Sequence, residues 1–404
     1  MKPFFNISSR WYYPLHWLII IILGLFIYGQ SLGHGFVFDD EQFIVSNPYI
    51  KDWQIFNNLW SILPKTRLIT MLSFAFNYHL NQLNPFGYHL FNLAVHFLAV
   101  GLVWGVARRL IQISKIKVSA ELPFFIALLF LVHPGQTQAV TYVSQRFESM
   151  ATLFYLAAVY TYLRGWFIGT AIATILGILT KEVAITLPLT LLAIEFILSE
   201  KSSRQRRFIL GGAMLLLSYF LIKAVRGGLG VWGMHIASES HDGDILTAWN
   251  YLLTHLRVFS TFLKLLVVPL NQNVDYDFPA STSLFAPVTT LLGLGVIGAM
   301  VAAIVAWRKK WPLIAFGFSW MLITFSINLV PRANVIFEHK LYLISFGFFL
   351  SASVAFVLVC KDRKLRTAIG IGLIAALSVL SFMRNQVWHD EISLWTDTVK
   401  KSPD

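Results

Sequence analysis

Residues 34–50 read HGFVFDDEQFIVSNPYI and set Asp39, Asp40 and Glu41 side by side just past a long apolar run. Adjacent carboxylates suit two kinds of chemistry: a general base that takes a proton from an attacking hydroxyl, or paired oxygen ligands for a divalent metal. The local alternative is that Asp39 or Asp40 caps a helix beginning near Glu41, with Glu41 favourable to the dipole in its first turn. Spacing alone weighs these readings evenly. Asn47-Pro48 then forces a turn.

Further polar residues interrupt the apolar sequence. His89, Asn92 and His96 recur at i, i+3 and i+7, which puts them on one helical face. Polar groups at membrane depth face the bundle interior and are functional by default; for His96, the deepest, hydrogen bonding between helices is the preferred reading. In LFLVHPGQTQAVTYVSQRFESMA, His133-Pro134 marks a hairpin, with Arg146 and Glu148 a few residues into the next helix. The planar fork of an arginine there suits a phosphate, and Glu148 could equally neutralise it. Lys181 and Glu182 repeat the pattern at the next hairpin, as an ion pair or as a phosphate contact beside an acid. VPRANVIFEHKLYL adds Arg332, Glu338, His339 and Lys340 at an apolar boundary, a pattern that fits a lipid-linked phosphate or a generic headgroup. No Gly-rich phosphate loop, zinc-ligand spacing, Gly-x-Ser-x-Gly elbow or dinucleotide fingerprint is present.

The elements that must position these groups are membrane helices. Of 404 residues, 56% are hydrophobic and only 13% charged, well below the roughly 25% of a soluble domain. The net charge of +12 falls in short basic clusters between apolar runs, the positive-inside signature, so nucleic acid is not implied. A single cysteine, Cys360, rules out an internal disulfide or a cysteine metal cluster. The first apolar run lacks a small-residue cleavage site and reads as a span.

Apolar runs begin near Leu15, Tyr88, Leu122, Ala139, Trp166, Val183, Phe208, Leu284, Trp311, Leu341 and Thr367. A twelfth run, 245–270, is broken by His255, Arg257 and Lys264; counting it as a span would put two basic clusters outside. It is therefore expected to be a re-entrant or surface-lying amphipathic helix, leaving about eleven crossings. With that topology the acids, the hairpin residues and the 332–340 segment all lie on the outer face, as they would in an enzyme of the outer leaflet; the alternative is that outer loops simply need polar residues. Residues 384–404 read as an amphipathic helix outside the membrane.

The ordered motifs HGFVFDDEQFIVSNPYI, NYHLNQLNPFGYHLFNLAVH, HPGQTQAVTYVSQRFESMATLFYLAAVYTY, LTKEVAITL, FEHKLYLISFGFFL and RNQVWHDEISLWTDTVKKSPD resemble the TMTC-like proteins, transmembrane and tetratricopeptide-containing O-mannosyltransferases of the GT-C glycosyltransferase superfamily. The resemblance implies an all-α polytopic GT-C domain over residues 1–383, with a first outer loop at 34–67 and a 384–404 stub leading to repeats. It assigns Asp39 and Asp40 to the acidic motif of that loop. It also matches Arg67, His89, Asn92, His133, Arg146, Lys181, Glu182, Glu338 and Tyr342 to family positions, with leucine following Arg67 where the family usually has proline. His339 stands where animal relatives commonly have arginine.

The expected activity is inverting transfer of a mannose-like sugar from a polyprenyl-phosphate donor to a Ser or Thr of an exported protein. A loop acid would serve as base, and Arg67, Arg146, Lys181, Arg332, His339 and Lys340 would meet the donor phosphate. Glu41, His89, Asn92, His133, Glu148, Glu182, Glu338 and Tyr342 are expected in support. No cofactor is expected, a divalent metal being possible but not favoured. The location implied is a bacterial inner membrane with the site outside, or the endoplasmic reticulum with the site in the lumen. The rival readings are a flippase for lipid-linked sugars, transfer to a glycan or lipid acceptor, and a scaffold; transporters are marked by paired broken helices that are not apparent here.

Overall fold

The computed structural model describes residues 9–52, 67–199, 211–212, 238–239, 245–331 and 335–403. Helix α1 (Ser9–Tyr28) runs on through a 3₁₀ turn, Gly29–Gly33. The loop that follows contains a single π-helical turn, Glu41–Val45, and a 3₁₀ turn, Pro48–Ile50. Asn47 makes the expected turn there, its Oδ1 accepting from the Tyr49 N–H at 2.9 Å. Next come α2 (Leu68–Asn81) and α3 (Pro85–Ser114). Asn84 starts α3 as an N-cap, accepting from the Phe86 N–H at 3.1 Å, with Pro85 in the first turn where its missing N–H costs nothing.

Helix α4 (Leu122–Val132) breaks at His133-Pro134 and bends by 60° into the segment Pro134–Val140. Then follow α5 (Arg146–Leu163), α6 (Phe167–Ile178) and α7 (Leu187–Ala193). A two-residue antiparallel ladder pairs Ser238–Glu239 with Ile245–Leu246. The chain ends with α8 (Ala248–Val267), α9 (Thr289–Trp307), α10 (Pro312–Phe325), α11 (Leu341–Val359), α12 (Arg363–Gln386) and α13 (Glu391–Lys401).

The molecule is an integral, multi-pass membrane protein of α-helical fold. Among the described residues six helices are long and apolar enough to cross a bilayer, or seven if the bent pair in α4 counts as one span. The sequence count of about eleven runs higher for physical reasons. Arg146 and Glu148 lower the apolarity of α5, α6 has 12 residues, and the Val183 run is divided into a 3₁₀ turn, seven residues of α-helix and a π turn. The Phe208 run lies outside the described residues. Helix α8 is amphipathic as expected: Tyr251, His255, Val258, Phe259, Phe262 and Leu266 share its buried face while Trp249 and Val267 are exposed.

The main core is an apolar cluster drawn from most of the helices, and two smaller clusters, one with Ile44, Phe74 and Phe147 and one with Val37, Tyr142 and Trp388, pack around the acidic loop. Helices cross closely at glycines: a Cβ on Gly317 of α10 would stand 2.5 Å from the Gly347 carbonyl oxygen of α11, and one on Gly293 of α9 closer still to the Leu256 carbonyl oxygen of α8. Only glycine permits that approach. Exposed Leu18, Ile22 and Phe26 on α1 form apolar surface of the kind that faces lipid.

Candidate active site

The acidic loop folds back on the start of α5. Asp40 is fully enclosed: its Oδ2 accepts from the Val37 N–H at 3.1 Å, and its Oδ1 accepts from the Ser144 N–H at 2.7 Å and from the Ser144 hydroxyl. It sits at the N-cap of the π turn but makes no side-chain cap bond. The capping alternative is therefore replaced by a longer-range role: Asp40 staples the loop to residue 144. Burial pushes its carboxyl up to about 7, against the pull of those donors and with a further push from Asp39.

Asp39 is half-buried and opens toward Arg67. Its own N–H donates to the Tyr142 hydroxyl at 2.9 Å, and Tyr142 also hydrogen-bonds its carboxylate. Burial raises its pKa from the usual carboxylate range, while Tyr142 and the positive charge of Arg67 lower it. The Arg67 guanidinium lies between two rings, 5.5 Å from Phe43 and 4.9 Å from Phe147, a placement that suits a partly dry cation. Phe38, just before Asp39, has φ 54°, a left-handed conformation costly for a bulky residue. It is held by its N–H, which donates to Glu391 Oε1 of α13 at 2.6 Å, and by ring contacts with Tyr142 and Trp395.

About one helical turn further along the chain is a second polar group. Lys181 Nζ lies 2.7 Å from Glu148 Oε2, with both side chains buried. With Glu182, Thr324, Asn328 and Lys340 they line a narrow cavity of about 10 Å³, room for about one water. Ser144, which holds Asp40, and Glu148, which holds Lys181, are four residues apart, so the segment entering α5 connects the two groups within about 6 Å of helix rise.

Several predicted residues are instead committed to the scaffold. Arg146 is fully buried; it donates to Asn92 Oδ1 (2.6 Å), Asn77 Oδ1 (2.7 Å), Ser73 Oγ (3.1 Å) and the Tyr88 carbonyl (2.9 Å), with Phe91 and Phe74 stacked on it. A guanidinium so enclosed joins α2, α3 and α5 and is not placed to meet a phosphate. Asn92 also donates to the Val140 and Val143 carbonyls. Nδ1 of His133 accepts from the Gly135 N–H and its Nε2 lies 3.2 Å from the Leu266 carbonyl. Tyr342 pairs with His96 at 2.6 Å, the interhelical bond expected of that histidine.

Glu338 accepts from Gln272 Nε2, the Asn273 N–H and the Tyr276 hydroxyl, which pins the 272–276 segment. The His339 N–H donates to Gln138, and its ring stacks on Phe337. His89 is buried under the loop against His34, and Glu41 is exposed and bonded to Ser46. Arg332 lies outside the described residues.

Sequence reasoning missed Tyr142, Ser144 and Trp388. Trp388 stacks on Tyr142 at 5.2 Å and 21°, so the chain after α12 backs the tyrosine that touches Asp39. Tyr142 and Ser144 stand inside a quoted motif, but nothing in its spacing ties them to a loop a hundred residues earlier. Among the described residues no group of three or more His, Cys, Asp or Glu is set to hold a metal ion.

No family model matches the chain. It is 28% identical over 410 aligned residues to a protein O-mannosyl-transferase of Caenorhabditis elegans, covering 96% of this chain and 58% of that protein. It is 31% identical over 293 residues to the protein O-mannosyl-transferase Tmtc2 of Drosophila melanogaster, covering 64% of this chain and 30% of that one. The chain thus spans little more than half the length of these curated relatives at most. The crystal structure of ArnT from Cupriavidus metallidurans bound to undecaprenyl phosphate superposes with a TM-score of 0.50 at 15% identity, over 93% of this chain and 65% of ArnT.

Proposed function

Because the chain is TMTC-like and has the GT-C fold of ArnT, we propose that it is a membrane glycosyltransferase that moves a sugar from a polyprenyl-phosphate carrier to a hydroxyl acceptor. The acceptor is a Ser or Thr of an exported protein, as the names of the mannosyl-transferase relatives suggest, and ArnT's bound undecaprenyl phosphate supports the carrier class. The membrane is a bacterial inner membrane with the acids on the outer side, where the positive-inside pattern puts them.

One observation supports the division of labour: Asp39 is half-exposed beside a cation, whereas both Asp40 oxygens are occupied. In the reaction Asp39 takes the acceptor hydroxyl proton as that oxygen attacks the anomeric carbon opposite the phosphate. The carbon–oxygen bond to the carrier breaks, and the polyprenyl phosphate departs with the electron pair, giving inversion. A phosphate needs no proton to leave, so the remaining requirement is fixed positive charge. Arg67 beside the acid, with Lys181 and Lys340 at the inner cavity, supplies it once the cavity opens around the donor.

Metal is not required on this reading, and activity unchanged by a chelator is expected. The decisive assay follows carrier release from polyprenyl-phosphate sugars by purified variants. Asp39→Asn is expected to lose roughly 10²–10⁴-fold, the usual worth of a general base, and Asp40→Asn less. Native-rate transfer by folded Asp39→Asn would sink the assignment.

A further inference from the structure

The end of the bundle opposite the acids has a cavity of its own. His89 lies under the acidic loop at one end of α3 and Arg108 near the other; 19 residues of helix put them about 28 Å apart. Around Arg108, helices α1, α3 and α5 leave a cavity of ≈ 380 Å³, walled by Trp17, Trp104 and Tyr160 and lined by Arg108, Arg109 and Arg164. Gly101 and Gly105 let two of its aromatic walls press onto the α3 backbone. A Cβ there would come within 2.6 Å of Trp17 and 3.0 Å of Tyr160.

No carboxylate lines this cavity. Arg108 donates to the Tyr13 hydroxyl and Arg109 to Gln112 Oε1 at 3.2 Å, both neutral acceptors. Among the described residues no ion pair neutralises any of the three arginines; the neighbouring carboxylate, Glu121, is bonded to His16. Three like charges gathered without a counter-charge repel one another, and an anion that joins them relieves that repulsion through charge-assisted hydrogen bonds. Toward the bilayer centre the surface turns apolar, with Leu18, Ile21 and Ile22 of α1 and Leu98 of α3 exposed. That track accommodates acyl chains, which a free anion or a nucleotide lacks.

We propose that this cavity is a binding site for an anionic phospholipid of the inner leaflet. The arginine forks take the headgroup phosphate, the aromatic walls flank the glycerol, and the acyl chains lie along α1 and α3. The chemistry is independent of sugar transfer, so the site stands or falls apart from the proposed activity.

Native mass spectrometry of the purified full chain, titrated with phosphatidylglycerol or phosphatidylcholine, tests it. The native protein is expected to prefer phosphatidylglycerol by about tenfold or more, and Arg108→Gln/Arg109→Gln/Arg164→Gln to lose that preference to within about twofold. Gly105→Leu keeps every charge but fills the cavity, and it too should lose the lipid. Inorganic phosphate at millimolar concentration should leave the bound lipid in place. The site is overturned by equal affinity for the two lipids, by retention of the preference in either variant, or by displacement with inorganic phosphate, which would mark a free-anion site. Retained thermal unfolding behaviour in the variants separates loss of the site from loss of the fold.

Discussion

Two neighbouring aspartates have different surroundings, Asp40 enclosed with both oxygens occupied and Asp39 half-buried beside Arg67. Asp39 has a pKa above the ordinary carboxylate range, so its basic form accumulates as pH rises and the acid limb of kcat/KM should lie above that range. Tyr142 and Arg67 both hold that pKa down, hence Tyr142→Phe and Arg67→Gln should each move the limb to higher pH, as a pH–rate profile will read. Asp40 behaves differently. Its folded-state pKa of about 7 exceeds the ordinary 3.8, so its contribution to stability is full below about pH 4 and is lost as pH rises through 7. At about 1.4 kcal/mol per unit the effect is at most ~4 kcal/mol. Asp40→Asn should flatten thermal stability across that window while costing less transfer than Asp39→Asn. Spacing alone weighs cap against catalytic acid evenly and does not part Asp39 from Asp40, because the donors that separate them, Tyr142 and Ser144, come from a distant segment.

At the scale of elements, buried polar side chains join helices that apolar packing alone would leave free to slide. The hairpin bend, the amphipathic α8 and the polar face of α3 were legible from His133-Pro134, from the broken apolar run and from the i, i+3, i+7 spacing. Which of those polar groups would face substrate was not, since a sequence does not show whose lone pairs are already occupied. Arg146 illustrates the point: its residue type suggested phosphate, and four acceptors on α2 and α3 claimed it instead. The Lys181–Glu148 pair joins the start of α5 to the turn before α7, and Lys181→Ala would strand a buried carboxylate at a cost of ~3–5 kcal/mol. Lys181→Met with Glu148→Gln should recover most of that stability in a thermal melt. If Lys181 also faces the departing phosphate, the double variant will stay slow in transfer, which separates the two roles.

Over the whole molecule, charge patterning predicts two opposed faces, and the acids and the arginine cavity do lie at opposite ends of α3. The single native cysteine offers a direct check, because Cys360 ends α11 beside the basic residues that begin α12. A membrane-impermeant thiol reagent added outside sealed cells should spare Cys360 yet label Ser46→Cys in a Cys360→Ser background; the reverse would invert the topology. The count of spans is less legible than their order, since helices interrupted by polar residues and by 3₁₀ or π turns lose the length and apolarity on which counting depends. One contact has a temporal meaning as well. The Phe38 N–H is satisfied by Glu391, 353 residues later, and the ring backing Tyr142 belongs to Trp388. During synthesis the first loop must therefore wait, its strained residue unsupported, until nearly all of this chain has been made. A half-made protein in the membrane holds both aspartates before the contacts that fix the Phe38–Asp39 backbone exist, so the acidic loop takes its final form only late in synthesis.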